Sequence, residues 1–458
     1  MGCVSEVYLH TPRVLNYIWL GLILAAIAIG GVTGKMDEVT QGAFEMAETA
    51  VNIALGFIGF FALWLGVMRL AERSGMIRII AVALKPLMRR LFPEVPPDHP
   101  AMGSIIMNMS ANMLGLANAA TPLGLRAMKH LERLNPRPGT ATNAMCTFLA
   151  INTSSIQLIP ASAVAVLAAE GAKDPTAIIG TAFVATLFST IVAITAVKIF
   201  EKFPHFRLPP VSDEDAAKKH EEEEEDDEPQ IDEAKDLRRI GAGQKLILVI
   251  FFVLFGYVLL RTAYPTWVWL PADPELAGKG FGTRLIEAIS LLAIPFLLSF
   301  FPLYAAIRGL KVYDEFVEGA KEGFWVAVRI IPYLVTILVA IGMFRGAGGI
   351  ELLTSWLAPA LNFLTFPPDL LPMALMRPLS GSGSMGVFVE LVDRLGPDDI
   401  VTLMAGTFFG SSETTFYVIA VYFGSVGIRR TRHAVPAGLI ADLAGLVAAV
   451  VVCRMVFG

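Results

Sequence analysis

The chain has 458 residues, of which 55% are hydrophobic and 17% charged, and its mean hydropathy is +0.62. An ordinary soluble domain carries about one quarter charged residues, so these values exclude that class and point to a chain that crosses a bilayer several times. The net charge of -5 decides little, because orientation in a membrane follows where Lys and Arg fall.

From the start, Met1 to Tyr17 is polar and shows no small-residue cleavage site, so no cleaved leader is expected. Met1-Gly2-Cys3 faintly suggests lipid attachment, but Glu6 stands where that motif wants Ser or Thr. Apolar runs at 17–33, 50–70, 142–168, 176–199, 244–262, 284–306, 327–344, 399–424 and 435–456 predict nine crossings, about 20 residues sufficing for each. The stretches 101–124 and 370–389 are apolar but broken by Gly, Ser, Asn and Pro. Segments 76–92 and 350–364 have the pattern of helices lying along the interface. Residues 212–236, SDEDAAKKHEEEEEDDEPQIDEAKD, read as a disordered, solvated tether. The expected division is a membrane half over 1–205, a linker over 206–243 and a second membrane half over 244–458.

The halves resemble each other. Asp37-Glu38, Gly42-Ala43 and Glu45 recur at identical spacing as Asp314-Glu315, Gly319-Ala320 and Glu322. Gly66 and Arg69 match Gly342 and Arg345, and Thr147 to Ser155 match Thr407 to Thr415. Short matches in one order predict an internal repeat of about 150 residues, over about 35–199 and 312–457. The basic regions Arg69 to Arg90 and Arg126 to Arg137 should face the cytoplasm. The stretch between them must then leave on the side it entered, as a re-entrant hairpin. Arg345 to Asp399 is acidic and should face outward, while Arg429 to Arg432 should face inward. The two repeats are therefore expected to be inverted, as in many secondary transporters.

Chemistry concentrates where the two repeats match. FFGSSETTFY, residues 408–417, sets Ser412, Glu413, Thr414 and Tyr417 inside an apolar run. A carboxylate at mid-bilayer costs roughly 2.5–3.5 kcal/mol on insertion scales and persists when it faces a cavity or partner. Gly and Ser weaken the helix there, and unwound backbone is tolerated only where it lines a cavity. The matching run supplies Asn152, Thr153 and Ser154, with Gln157 following. The hairpins add Asn108, Asn112, Asn118 and Thr121 from one half and Arg377, Ser380 and Ser382 from the other. These groups could bind a polar solute. Asp442, in the last span, is a candidate coupling-ion ligand or interhelical partner.

The six histidines lie outside the spans without ligand spacing, and Cys3, Cys146 and Cys453 are far apart, so neither a metal site nor a disulfide framework is indicated. No P-loop, nucleophile elbow or HExxH motif is present, so no catalytic residues, cofactor or enzymatic activity are expected. The basic loops report orientation, not nucleic-acid binding.

Longer motifs carry a family resemblance. Leu91-Phe92-Pro93-Glu94-Val95-Pro96, Asn112-Met113-Leu114-Gly115-Leu116, Asn118-Ala119-Ala120-Thr121-Pro122-Leu123-Gly124 and Asn152-Thr153-Ser154-Ser155 resemble spore maturation protein A. Glu318-Gly319-Ala320-Lys321-Glu322-Gly323-Phe324, Arg377-Pro378-Leu379-Ser380-Gly381-Ser382-Gly383 and Gly410 to Tyr417 resemble spore maturation protein B. The resemblance implies a natural fusion carrying the nucleoside-recognition (Gate) domain, also named in concentrative nucleoside transporters and ferrous-iron transport proteins. Its family name implies a part in spore core dehydration. Ser412-Glu413-Thr414 is similar to the Thr-Glu motifs that bind ligand in the nucleoside transporters, with Thr153 in place of the acid in the first half.

The resulting expectation is an all-α inner-membrane protein with two inverted repeats and a cytoplasmic linker. It would move a small polar solute, coupled to Na+ or H+ through Glu413 and Asp442, with room for a homo-oligomer. The alternatives are a non-transporting scaffold or sensor, and an ion channel or permease.

Overall fold

A computed structural model describes residues 13–115, 117–206, 237–238, 240–264, 280–352, 355–356 and 366–458. The tether at 212–236 and most of the interfacial stretch 350–364 lie outside them. The described residues are helical, and their one β-type contact is an isolated bridge between Thr140 and Arg430. The first half consists of α1 (Arg13–Thr33), α2 (Met36–Arg73), α3 (Met76–Leu91), α4 (Pro100–Met113), α5 (Ala117–Arg133), α6 (Asn143–Ser154), α7 (Ala161–Ala169) and α8 (Ile178–Phe200). After α9 (Ala242–Ala263) and α10 (Phe281–Ile307), the same order returns. It runs α11 (Val312–Gly346), α12 (Leu371–Met376), α13 (Gly381–Leu395), α14 (Ile400–Ser411), α15 (Thr415–Gly424) and α16 (Ala434–Phe457).

Among the described residues, α2, α8, α9, α10, α11 and α16 are long and apolar enough to cross a membrane. The runs 142–168 and 399–424 are not single helices. Each is split, into α6 with α7 and into α14 with α15. Two spans are longer than their apolar cores suggested. α2 has 38 residues and α11 has 35, about 50–57 Å at about 1.5 Å per residue, against a hydrocarbon core of about 30 Å. Their charged first turns continue as helix because each packs on the other.

That packing is inverted. Glycines let the two backbones touch: a Cβ on Gly42 would lie 2.5 Å from the Gly342 carbonyl oxygen, and one on Gly346 would lie 2.3 Å from that of Glu38. Further along, a Cβ on Gly323 would lie 2.2 Å from the Phe61 oxygen, and one on Gly319 2.5 Å from that of Leu65. Partner numbers fall as residue numbers rise, so the helices run antiparallel. Gly42 and Gly319 are equivalent in the repeat, as are Gly66 and Gly342. Gly42 meets Gly342, and Gly319 meets Gly66, which is the exchange a two-fold axis in the membrane plane produces. Small residues at four-residue spacing, as at Gly319/Gly323 and Gly342/Gly346, serve close helix approach in lipid. The C-terminal helices α8 and α16 form the other large contact between the halves.

Loops of the two halves join at both ends. The Ala141 amide donates to the Arg430 carbonyl, and those of Arg429 and Arg430 donate to Gly139. At another corner the Lys173 amide donates to Asp398 Oδ1 at 3.0 Å.

Candidate functional site

Each hairpin turns by a local device. His99 Nδ1 accepts from the Ala101 amide to start α4, whose first residue is Pro100, and Gly115, at φ +73°, turns the chain toward α5. In the second hairpin the Ser380 hydroxyl accepts from the Gly383 amide and starts α13. The broken helices also have built ends. α6 starts on Thr142 and ends at Ser155, which takes the left-handed conformation at φ 38°. α14 starts on Asp399 and ends at Ser412 in extended backbone, three residues before α15 begins at Thr415.

The two breaks meet. The Glu413 amide donates to the Thr153 carbonyl at 2.7 Å, and Gln157 Nε2 donates to Glu413 Oε1 at 3.3 Å. Beside them lies a cavity of about 300 Å³. Gln157, Ser162, Arg377, Ser382 and Glu413 give it polar groups, and Ile330, Leu334, Met385 and Phe409 give it apolar wall. The carboxylate lines this void and, among the described residues, has no ion-pair partner within 4 Å.

Hairpin and break are joined in each half, by different chemistry. In the first, Asn112 Nδ2 donates to Asn152 Oδ1 at 2.9 Å. In the second, Arg377 Nε donates to Ser412 Oγ at 3.1 Å, and Ser412 is the repeat counterpart of Asn152. Arg377 Nη2 also donates to the carbonyls of Phe409, at 2.8 Å, and Ser412. Its guanidinium lies 4.2 Å from the centre of the Phe409 ring. A buried cation thus sits on the C-terminal carbonyls of α14, where the helix dipole favours positive charge.

Of the residues singled out in the sequence, Gln157, Arg377, Ser382 and Glu413 line the cavity. Asn152, Thr153, Ser154, Ser412 and Thr414 form the buried backing of the two breaks. Ser154 accepts from Thr190 at 3.0 Å, and Ser380 caps α13. Asn108 donates to the Ala120 carbonyl inside its own hairpin and also hydrogen-bonds Tyr422 of the other half. Thr121 is half-buried on α5. The side chain of Asn118 lies outside the described residues. Tyr417 is 51% exposed and turns away from the cavity. Tyr422, outside the motif, is the buried tyrosine of α15, and its ring fills the space left by Gly124 on α5. It shares a face with Thr415 and Val418, both buried, so helical phase would have chosen it over Tyr417.

Asp442 is set behind this layer. Its Oδ2 accepts from Thr415 at 2.6 Å, while its buried Oδ1 has no partner among the described residues. Among the described residues no group of three or more His, Cys, Asp or Glu side chains is placed to hold a metal ion.

Comparison with known proteins meets this geometry directly. The chain is 42% identical to spore maturation protein A of Bacillus subtilis over 193 residues, which covers 42% of this chain and 96% of that protein. It is 41% identical to spore maturation protein B of the same organism over 175 residues, 38% of this chain and 98% of that protein. The chain belongs to the family of spore maturation proteins A and B. Near-complete matches to two proteins, each taking about two fifths of the chain, identify it as a fusion of the two types. The Gate family model, described as nucleoside recognition, matches residues 54–170 and 327–429. Every residue lining the cavity falls in one or other of these stretches; Asp442 falls in neither.

Proposed function

We propose that this spore maturation A/B fusion is a secondary transporter of a small polar solute, with nucleoside-like molecules in the range that the Gate description suggests. The observation that carries the reading is the meeting of both helix breaks, through Thr153, Gln157 and Glu413, beside a cavity between oppositely oriented repeats. Transporters built from inverted repeats bind substrate at such discontinuous helices. Coupling to Na+ or H+ is assigned to Glu413 and Asp442. Asp442 supports it because a buried carboxylate with one oxygen unbonded is costly unless a proton or cation shares it. The protein works in the inner membrane with its acidic linker in the cytoplasm.

A binding screen of polar metabolites on the purified chain, followed by uptake of the best ligand into proteoliposomes under Na+ and pH gradients, tests this. Glu413→Gln should weaken binding by about 10- to 100-fold, the range of a lost charge-assisted hydrogen bond, and should abolish coupled uptake. Unchanged coupled uptake would reject the role of Glu413.

A second reading is a membrane sensor or scaffold that holds the ligand without moving it. The fastening of Arg377 between hairpin and broken helix favours it, since that bond keeps the second hairpin shut. It predicts ligand binding with no uptake under any gradient.

A further inference from the structure

Arg329 stands in the middle of α11, exposed and without a hydrogen bond or ion pair among the described residues. Its depth follows from the repeat. Asp37 and Asp314 are counterparts, and Gly42 meets Gly342 while Phe61 meets Gly323. With that offset and that antiparallel register, residues pass their own counterparts only where Ile53 and Ala54 cross Ile330 and Ile331. The two-fold axis runs through this point, and an axis in the membrane plane marks the bilayer centre. Arg329 is within two residues of it, about 3 Å of helix rise.

A charge at that depth is costly against lipid and normally faces water or a partner. The surface around it is not made for lipid either. Where α9 is bare it exposes Leu246, Ile250, Val253 and Leu260. The exposed stripe of α11 through Arg329 is Glu322, Trp325, Tyr333 and Thr336, spaced at the three- and four-residue steps of one helix face. Tyr333 is 54% exposed and also lines the cavity, as does Ile330, the residue after Arg329. The stripe therefore runs to the cavity mouth. On the outer side of the midplane α1 lies against it, with Trp19 Nε1 donating to the Thr336 carbonyl at 2.9 Å. Toward the end of α11 that loop charge assigns to the cytoplasm, Glu322, Trp325 and Arg329 are left exposed.

The neighbouring charges are already matched. Glu322 pairs with Arg69 at 3.0 Å. On the cavity wall the charge of Arg377 is coupled to those of Glu413 and Asp442. Arg329 has no acid of this kind, so its charge is left to whatever passes along the stripe.

We infer that a water-filled route follows this stripe from the cytoplasm to the cavity, and that Arg329 selects anions on it. The inference rests on the reading that the cavity is the solute site, and it makes that solute an organic anion. A guanidinium offers a carboxylate or a phosphate two parallel N–H donors. A positive charge in an aqueous path with low-dielectric walls concentrates anions beside it. The mouth takes the anionic group, and Gln157 and Glu413 beyond it take the hydroxyl or amide groups of the same molecule.

Charged thiol reagents test this on the purified full chain in lipid nanodiscs with Cys3 replaced, Cys146 and Cys453 being buried. Tyr333→Cys should react with both the anionic sulfonatoethyl and the cationic trimethylammonioethyl methanethiosulfonate. Leu254→Cys, on the bare apolar face of α9, should react with neither. Relative to a free thiol, Tyr333→Cys should favour the anionic reagent by about 10-fold. Adding Arg329→Gln should remove that preference, and Arg329→Lys should keep it. A Tyr333→Cys chain as inert as Leu254→Cys would mean that lipid or another chain covers the stripe, and overturns the route. Equal rates for the two reagents, or a preference that survives Arg329→Gln, overturn the selection. Trp325→Cys, on the same stripe, gives the same readout if Tyr333→Cys fails to fold. These rates need no solute, so a metabolite screen that returns no ligand rejects the reading of the cavity and leaves the route standing. A screen that returns only cations overturns the anion assignment.

Discussion

His433 shows how much one buried side chain can bias this protein. It is fully buried at the start of α16, packed on the Phe206 ring at 5.7 Å between centroids. Among the described residues neither ring nitrogen has a hydrogen-bond partner. The adjacent Arg432 is committed to the carbonyls of Phe206 and Ala141 and to Asn143. Burial first, then the positive charges of Arg432 and Lys198, push the imidazole down to about 4 from its ordinary 6.5. Between those two values the unfolded chain binds a proton that the folded chain refuses. Stability therefore falls as pH drops below about 6.5 and stops falling from this source near 4. The midpoint of thermal unfolding should be lower at pH 5 than at pH 7, and His433→Phe, which keeps the ring packing, should flatten that dependence. A variant with the same slope as the parent would show that other groups set it. The same residue scale separates what the sequence disclosed from what it withheld. Glu413 was legible because a carboxylate in an apolar run needs a reason. The commitment of Arg377 was not, because the carbonyls it covers become free only when α14 stops at Ser411, and the sequence alone suggested a ligand for it. Tyr417 adjoins the motif, but helical phase decides which tyrosine of α15 points inward, and that is Tyr422.

At the scale of elements, the repeat was legible because glycines at matching spacing serve a contact that both halves make. The lengths of α2 and α11 were not, since their charged ends break the apolar run and stay helical only through each other. Arg69, for example, reaches Glu315 at 2.9 Å and Glu322 at 3.0 Å on the opposite helix. The symmetry is incomplete: Arg345, the counterpart of Arg69, pairs instead with Glu390 of the second hairpin at 3.1 Å. The glycine contact itself can be measured. A Cβ on Gly342 would sit 2.4 Å from the Gly42 carbonyl oxygen and 2.5 Å from Met46 Cγ, and backbone on one side leaves little room to yield. Gly342→Ala should destabilise by about 1–3 kcal/mol, the cost of overpacking. Gly256 on α9 meets nothing within 4 Å, so Gly256→Ala should leave the thermal midpoint unchanged or raise it, alanine being the better helix former. Equal effects at the two sites would mean that the α2–α11 contact is looser than its geometry.

For the whole molecule, the inverted arrangement ties orientation to loop charge. The structure groups loops in a way that this rule can use. The Gly139–Ala141 segment after α5 is bonded to Arg429 and Arg430 before α16, and the reading of basic residues placed both of these regions in the cytoplasm. Glu94, beyond the basic end of α3, accepts from Asn143 in the same group of loops at 2.8 Å. The loop between α7 and α8 is bonded through Lys173 to Asp398 before α14, and the surrounding acidic residues were read as external. Glu170 belongs to this second group, where burial and then the nearby Asp393 hold its carboxyl above the usual range. A single pair of positions therefore reports the orientation of the whole chain. Arg89 and Asp393 are both exposed, and the native Cys146 and Cys453 are buried, so a reagent should find introduced thiols first once Cys3 is replaced. Arg89→Cys should react with a membrane-impermeant maleimide only after the cell is opened, and Asp393→Cys in intact cells. The reverse pattern would flip the protein in the membrane while leaving its repeats inverted. Labelling of both from one side would contradict the inversion itself, because the antiparallel α2–α11 pair carries these two segments to opposite ends.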